Sequence, residues 1–301
     1  MKKGYEILKE SLVYIISVNF NAAEHTIEMV NSLKNIVYKK YKIIIIDNGS
    51  NFSDYEKLKQ IEDSCILIRS ETNLGFSGGN NIGIKRAIED KADYILLLNN
   101  DTIVEKNFLN ELIESMERNN SDLVCPKILN YYNKQIINYA GGDIVPYKGA
   151  VNIYGLGECD SEKYNCVKDI TFAHGCCLLT STEALIKTEG LEDSYFLYFE
   201  DTDLSARLKL LGKRMIYEPK AIIYHKESIS TKKFSDNYQY YFCRNRLQFI
   251  KRNIKYPMKI IALLYTSLYM LKHLLHGDFK MENCICAIRD FKNQDLGKRK
   301  E

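Results

Sequence analysis

Short apolar runs rich in β-branched residues, each stopping abruptly at asparagine or aspartate, constrain this chain more than any other feature. Residues 13–18 (VYIISV) stop at Asn19-Phe20-Asn21, residues 43–47 end in Asp47-Asn48-Gly49-Ser50, and residues 94–98 (YILLL) stop at Asn99-Asn100-Asp101-Thr102. A shorter run at 66–68 precedes Asn73-Leu74-Gly75-Phe76-Ser77-Gly78-Gly79-Asn80-Asn81, and residues 123–125 read as a fifth strand. Continuous rather than alternating apolar runs are the pattern of strands buried on both faces. Helical patterns at 26–33, 55–61, 80–89 and 107–116 fall between them. Strand–helix alternation of this length predicts an α/β fold, a mostly parallel central sheet flanked by helices. In such sheets ligands bind beyond the carboxyl ends of the strands. Here the polar strand ends converge on one edge, which suits a nucleotide-sized ligand.

After about residue 136 the pattern changes. Gly141-Gly142, Pro146, Gly149, Gly155 and Gly157 punctuate residues 136–167, which predicts hairpins and loops. Helices are expected at 181–187, 201–211, 238–251 and 257–275, short strands at 214–217 and 222–225, and a loose charged tail from Asn293. The chain of 301 residues can bury a large core without staples, and 46% hydrophobic with 27% charged residues excludes a disordered or disulfide-scaffold protein. Its nine cysteines include no C-x-x-C pair, so reduced thiols in a cytoplasmic protein are expected. The first apolar run is too short and too late for a signal peptide, and no run of 18 apolar residues predicts a spanning helix.

Three stretches carry candidate chemistry. The glycine segment departs from the dinucleotide fingerprint G-x-G-x-x-G. It also departs from the P-loop, because Lys85 falls one place late with no Ser or Thr after it. It reads as a glycine-rich turn entering a helix, with backbone N–H groups available to a phosphate or ribose. The segment Tyr195-Phe196-Leu197-Tyr198-Phe199-Glu200-Asp201-Thr202-Asp203 sets three carboxylates after an aromatic cluster. Such acids can simply open a helix, with Asp203 paired to Arg207 four residues on. They can equally flank a sugar site, where ring faces stack and a carboxylate takes a hydroxyl proton. His225, at the end of an apolar strand, is a structural residue unless it lies beside Asp101.

Together the segments VNFN (18–21), IIDNGS (45–50), NLGFSGGNN (73–81), LLLNNDT (96–102), FLYFEDTDLSARLKLLG (196–212) and YHKES (224–228) resemble glycosyltransferase family 2 on the GT-A fold. Tyr240-Tyr241 with Arg244-Asn245-Arg246 is similar to the rhamnosyltransferase-like branch, and the likeness covers residues 12–250. The resemblance implies a GT-A catalytic domain over 1–250, with a nucleotide-binding half at 12–125 and an acceptor half at 126–250. It implies Asp201 as catalytic base. It implies a donor site of Asn19, Asn21, Asp47, Asn73, Gly75, Gly78, Gly79, Asn80 and Asn100, and Mg²⁺ or Mn²⁺ held by Asp101 and His225. Glu200, Tyr198 and Asp203 are its acceptor-side candidates. Asn99 stands where the family's D-x-D motif begins with an acid, and Asn51 and Phe52 intervene before Asp54, where an acid usually follows sooner.

The implied reaction is inverting transfer from a nucleoside-diphospho-sugar, dTDP-rhamnose or a UDP-hexose. The acceptor is a hydroxyl of a glycan or lipid-linked molecule in surface polysaccharide synthesis. A sugar nucleotidyltransferase and a catalytically inactive sugar-nucleotide-binding protein are the competing classes. No basic loop for a triphosphate follows the first strand.

The chain's net charge of +3 is unevenly placed. Residues 251–301 hold 11 Lys and Arg against five Asp and Glu, a balance of +6, which leaves −3 on the other 250 residues. That argues against nucleic acid as a partner and sets apart a basic helical C-terminal extension at 251–301. Within it the apolar stretch 260–271, twelve residues long, reaches only about 18 Å. It is expected to pack on the domain, to meet an anionic membrane surface peripherally from the cytoplasmic side, or to form a homodimer.

Overall fold

The structure, a computed structural model, describes residues 11–226 and 234–300; residues 1–10, 227–233 and 301, including the last two of the YHKES segment, lie outside the described residues. Strands β1 (Val13–Asn19), β2 (Tyr41–Asn48), β3 (Ile66–Ser70) and β4 (Tyr94–Leu98) pair in parallel in the order β3-β2-β1-β4. Helices α1 (Ala23–Leu33), α2 (Phe52–Leu58) and α3 (Gly75–Glu89) cross between them. The runs in β1 and β2 are buried as their patterning requires, with no exposed surface at Tyr14, Ile15, Ile16, Ile44, Ile45 and Ile46. Ile66, Leu67 and Ile68 of β3, expected to be buried on both faces, are only half-buried because β3 is an edge strand. The register sets Asn19 directly opposite Asp47, so the polar strand ends stand side by side.

Beyond β4 the sheet becomes mixed. Strand β5 (Thr102–Val104) and helix α4 (Phe108–Asn119) lead to β6 (Leu123–Asn130), to which β7 (Ile137–Tyr139) adds an antiparallel edge. Strands β8 (Gly142–Val145) and β9 (Ala150–Ile153) form the hairpin expected in the glycine-punctuated region. Strand β10 (Lys168–Asp169) pairs with the edge of β12 (Met215–His225). Strand β11 (Cys177–Ser181) inserts antiparallel between β4 and β6, and the sequence reading did not anticipate it. Its five residues between a glycine-containing turn and helix α5 (Thr182–Thr188) are too few to show a period. The two short strands expected near 214–225 are one long strand, β12. Its register against β6 shifts between Glu218 and Ile222, around Pro219, which has no N–H to give the ladder.

The expected glycine-rich turn is instead the first turns of α3, with Gly78 and Gly79 inside the helix. Gly79 is needed for packing: a Cβ there would lie 2.9 Å from Val18 Cγ1 on β1. Helix α2 likewise begins three residues earlier than expected, because the Asn51 side chain caps it by accepting from Asp54 N at 2.9 Å.

Helix α6 (Glu200–Leu210) precedes β12, and α7 (Asp236–Asn253), α8 (Met258–Leu275) and α9 (Met281–Asn293) complete the chain. Residue 250, expected to end the catalytic domain, falls inside α7, and both α8 and α9 pack against that helix. The tail expected to be loose is docked. Gly297 N donates to Ser194 O at 3.0 Å, Arg299 N donates to Tyr241 Oη at 2.8 Å, and the Arg299 guanidinium covers the Tyr240 ring. All nine cysteines are free thiols.

Candidate active site

A cleft of about 1010 Å³ opens at the carboxyl ends of β1, β2 and β4. Its strand-end wall includes Asn21, Asn48, Asp54, Asn73, Gly75, Asn99, Asn100 and Asp101. These loops brace one another. Asn19 Nδ2 donates to Asp47 Oδ1 (3.2 Å), Ser50 Oγ (3.1 Å) and Asp54 Oδ2 (2.9 Å). Its Oδ1 accepts from Thr26 Oγ1 (2.8 Å), which in turn accepts from Asn100 Nδ2 (3.0 Å). Asn48 ties β2 to the α3 entry through Leu74 N (3.0 Å) and Gly75 O (2.9 Å). Asn21 sits at φ +51° and accepts from Asn51 N.

Asp101 and His225 do meet. Strand β5 pairs antiparallel with β12, placing His225 opposite Thr102, and His225 Nε2 lies 3.1 Å from Asp101 Oδ1. Burial works against a charged imidazole. The neighbouring Cys176 sulfur and Asp101 carboxylate outweigh it, so His225 titrates well above its usual range. His174, also on the wall, goes the other way: burial, with His225 nearby, pushes it down to about 3, which leaves it neutral.

Across the cleft stand Glu200 and Asp201 in the first turn of α6. Asp201 Oδ2 accepts from Gly175 N at 3.0 Å, and Oδ1 accepts from Thr202 N at 2.6 Å and Thr202 Oγ1 at 3.1 Å. Glu200 is 7% exposed, and its Oε2 meets no donor among the described residues. Burial, with Asp201 adding repulsion, lifts the Glu200 carboxyl well above the ordinary carboxylate range. Burial raises Asp201 too, against the stabilising hydrogen bonds from Gly175 and Thr202.

The acids are aimed by a strained strap. Tyr198 and Phe199 take φ +68° and +74°, a conformation that costs bulky residues about 1–3 kcal/mol each. Neighbours hold it in place. Asn245 Nδ2 donates to Leu197 O (2.8 Å) and Tyr198 O (3.0 Å), and Phe76 N donates to Phe196 O (2.9 Å). Gly75, itself at φ +76°, is needed here, because a Cβ would collide with Phe196 O.

Not every expected residue faces the cleft. Asn19 and Asp47 are fully buried beneath the strand-end wall, where they brace it. Gly78, Gly79 and Asn80 lie within α3, and Asn80 Nδ2 is spent on Phe76 O at 2.9 Å. Asp203 turns into the protein, bound by Arg207 Nε (2.7 Å) and Asn253 Nδ2 (2.8 Å). Its position three residues into the helix, followed by Arg207, already signalled that ion pair. Asn21, Asn73, Gly75, Asn100, Asp101, Tyr198, Glu200, Asp201 and His225 all line the cleft.

Residues the sequence did not single out complete the wall, Phe172, His174, Cys176, Tyr238 and Phe242, together with Asp54, which the sequence showed only as an acid placed later than the family pattern. The Tyr238 and Phe242 rings stack at 5.1 Å on one face of α7, and Tyr198 meets Tyr238 edge-on at 5.3 Å. Their four-residue spacing was visible, but nothing in it said which helix face meets the cleft.

Among the described residues no three His, Cys, Asp or Glu side chains form a ready cation cage. Asp101 and His225 offer one carboxylate and one imidazole on the wall of the cleft. That donor set fits Mg²⁺ or Mn²⁺ completed by phosphate oxygens and water. A second depression of about 360 Å³ lies at Tyr154, Glu158 and Lys163, where Glu158 and Lys163 already pair with each other.

The hexosyltransferase Agl10 of low-salt glycan biosynthesis in Haloferax volcanii is 26% identical over 265 residues, covering 85% of this chain and 80% of its own. The rhamnosyltransferase WbbL of Escherichia coli is 28% identical over 225 residues, covering 69% of this chain and 81% of its own. Residues 1–349 of TarS from S. aureus superpose with TM-score 0.61 at 12% identity, covering 93% of this chain and 80% of that one. The mannosyltransferase PcManGT from Pyrobaculum calidifontis, solved with GDP-Man and Mn²⁺, superposes at 0.59 with 13% identity, covering 97% and 77%. The fold is GT-A. The family model described as glycosyl transferase family 2 matches residues 14–188, more than half of the chain, and the chain therefore belongs to glycosyl transferase family 2.

Proposed function

We propose that this glycosyltransferase is inverting and moves a sugar, rhamnose from dTDP-rhamnose or a hexose from a UDP-hexose, to a hydroxyl of a glycan or lipid-linked acceptor. The setting is surface polysaccharide synthesis at the cytoplasmic side of a membrane. One observation carries the reading: Asp101 with His225 and Glu200 with Asp201 face one cleft, at the strand ends and at the start of α6. Asn21, Asn73, Asn100 and Asp54 offer polar groups to the nucleoside. Asp101 and His225 would hold Mg²⁺ or Mn²⁺, which when bound neutralises charge on the departing diphosphate.

Asp201 takes the acceptor's hydroxyl proton as the oxygen attacks the anomeric carbon, and a single displacement inverts that carbon. Its fixed hydrogen bonds from Gly175 and Thr202 support this role over Glu200, because they stabilise a charged carboxylate and hold it in place. Tyr198, Tyr238 and Phe242 provide ring faces on which an acceptor sugar can stack.

The deciding experiment incubates the protein with dTDP-rhamnose and UDP-hexoses, with Mn²⁺ or Mg²⁺ and a hydroxyl acceptor, and identifies the released nucleotide. Nucleoside diphosphate supports transfer. Pyrophosphate, from a sugar phosphate and nucleoside triphosphate, would make the protein a nucleotidyltransferase. Tight donor binding with no turnover of any donor would make it an inactive binder.

A further inference from the structure

Helix α8 is apolar yet poorly covered by the rest of the described residues. Ala262, Thr266 and Met270, spaced at four residues, turn inward against the protein. The opposite stripe is almost purely aliphatic and faces solvent: Ile260, Leu264, Leu268, Leu271 and Leu275 are 51%, 61%, 66%, 51% and 78% exposed. A continuous exposed aliphatic stripe of this length marks an interaction surface. Basic residues flank it in the chain: Lys255 and Lys259 stand at one end and Lys272 at the other, and residues 251–301 carry the +6 balance, although Lys280 is engaged by Asp236 of α7.

We infer that α8 seats the protein on an anionic membrane surface, lying in the plane of the interface with this stripe immersed. Among the described residues α8 is the one helix long and apolar enough, by length and composition, to cross a bilayer. Its inner face forbids that. His273, near its end, bonds Asp278 at 2.8 Å and stacks on Phe279 with ring centroids 4.9 Å apart, and Tyr269 lies under the Arg246 guanidinium at 4.7 Å. A helix tied to its own domain along one face and greasy along the other lies on a membrane. The positive border selects anionic lipid. Arg246 belongs to α7, which also carries Tyr238 and Phe242, so the docked helix and the acceptor wall of the cleft share one support. The docking itself stands whatever sugar is transferred.

The test is flotation of the full chain with phosphatidylcholine vesicles, with and without phosphatidylglycerol. The chain should float with the anionic vesicles alone, and release by high salt should accompany the charge contribution. L264Q/L268Q/L271Q should lower the floated fraction about tenfold or more, with unchanged nucleoside diphosphate release on a soluble acceptor. The chain has no Trp, so Leu268→Trp is a unique reporter. Its emission should shift to the blue with anionic vesicles, while Leu211→Trp, on the exposed end of α6, should not respond. Absence of flotation and of the Leu268→Trp shift overturns the inference. So does a full chain that sediments as a dimer, fails to float, and becomes monomeric in L264Q/L268Q/L271Q, which would assign the stripe to a second copy. Neither result touches the proposed transfer reaction, which the nucleotide assay reads separately.

Discussion

On the strand-end side of the cleft most polar side chains bond one another, and the buried Asp47 Oδ2, which accepts no hydrogen bond, has the Arg69 guanidinium 3.6 Å away, whereas on the acid side the backbone is strained and Glu200 Oε2 meets no described donor. Asn19 alone joins Asp47, Ser50, Asp54 and Thr26, so three loops form one rigid wall with few free groups. Glu200 follows two left-handed aromatic residues and offers an oxygen that no described donor meets. A satisfied network makes a preformed surface for a ligand that must always bind the same way. A strained strap carrying raised acids is the kind of arrangement that the proposed proton transfer requires.

The sharpest way to break this contrast is Asp201→Asn. If the acid side does the chemistry and the strand-end side the donor binding, turnover should fall by about 10³-fold, within the range for loss of a general base. Donor affinity by calorimetry should move less than about twofold. Turnover of the native chain should also fall as pH drops, through a midpoint above the ordinary aspartate value, because burial raises Asp201. Near-native turnover in Asp201→Asn would remove the residue from the role.

Asp101→Ala probes the other wall. Loss of the carboxylate beside His225 should weaken Mn²⁺-dependent donor binding by about 10–100-fold. Donor binding without metal should be nearly unchanged. An identical Mn²⁺ titration in the variant would show that the cation, if any, sits elsewhere.

The strap gives a stability test. Gly75→Ala should destabilise the fold by about 3 kcal/mol, combining a left-handed φ with a backbone collision at Phe196 O. Asn245→Ala should cost about 1–3 kcal/mol through two carbonyls that lose their donor. Both are read from urea midpoints. A shift at Gly75 of less than about 0.5 kcal/mol would mean that the strap moves freely, and the contrast between the walls would lose its basis.

The two walls were also unequally legible. The strand-end wall could be read because each apolar run is continuous and stops at a polar residue, so sheet, direction and edge follow from the same letters. The acid pair could be named through its family likeness, but its surroundings could not. Gly175, Thr202 and Asn245 act through contacts made across 26 residues or more, or through backbone groups that every residue carries. The glycines misled for a related reason. A glycine that admits a ligand and one that admits a strand, as Gly79 admits Val18, are the same letter. Strand β11 escaped because its antiparallel neighbours, not its five residues, make it a strand. Two short strands were expected at 214–217 and 222–225, yet β12 continues through Pro219 with a shifted register.

Glu200→Gln is the smallest and most discriminating test. Burial lifts the folded pKa of Glu200 above its unfolded value, so at intermediate pH the folded chain holds a proton that the unfolded chain has lost. The stability this gives is complete below the unfolded pKa of about 4.3 and is lost as pH rises through the folded pKa. Gln cannot ionise and escapes that loss. Glu200→Gln should therefore match the native chain in acid and exceed it by about 1 kcal/mol at mildly alkaline pH, as removal of strained active-site groups commonly does. Asp203→Asn makes the contrast, because that acid is satisfied by Arg207 and Asn253 and its loss should destabilise at neutral pH. If Glu200→Gln were instead less stable at every pH, the carboxylate would have a partner it depends on, and the contrast between the two walls would narrow.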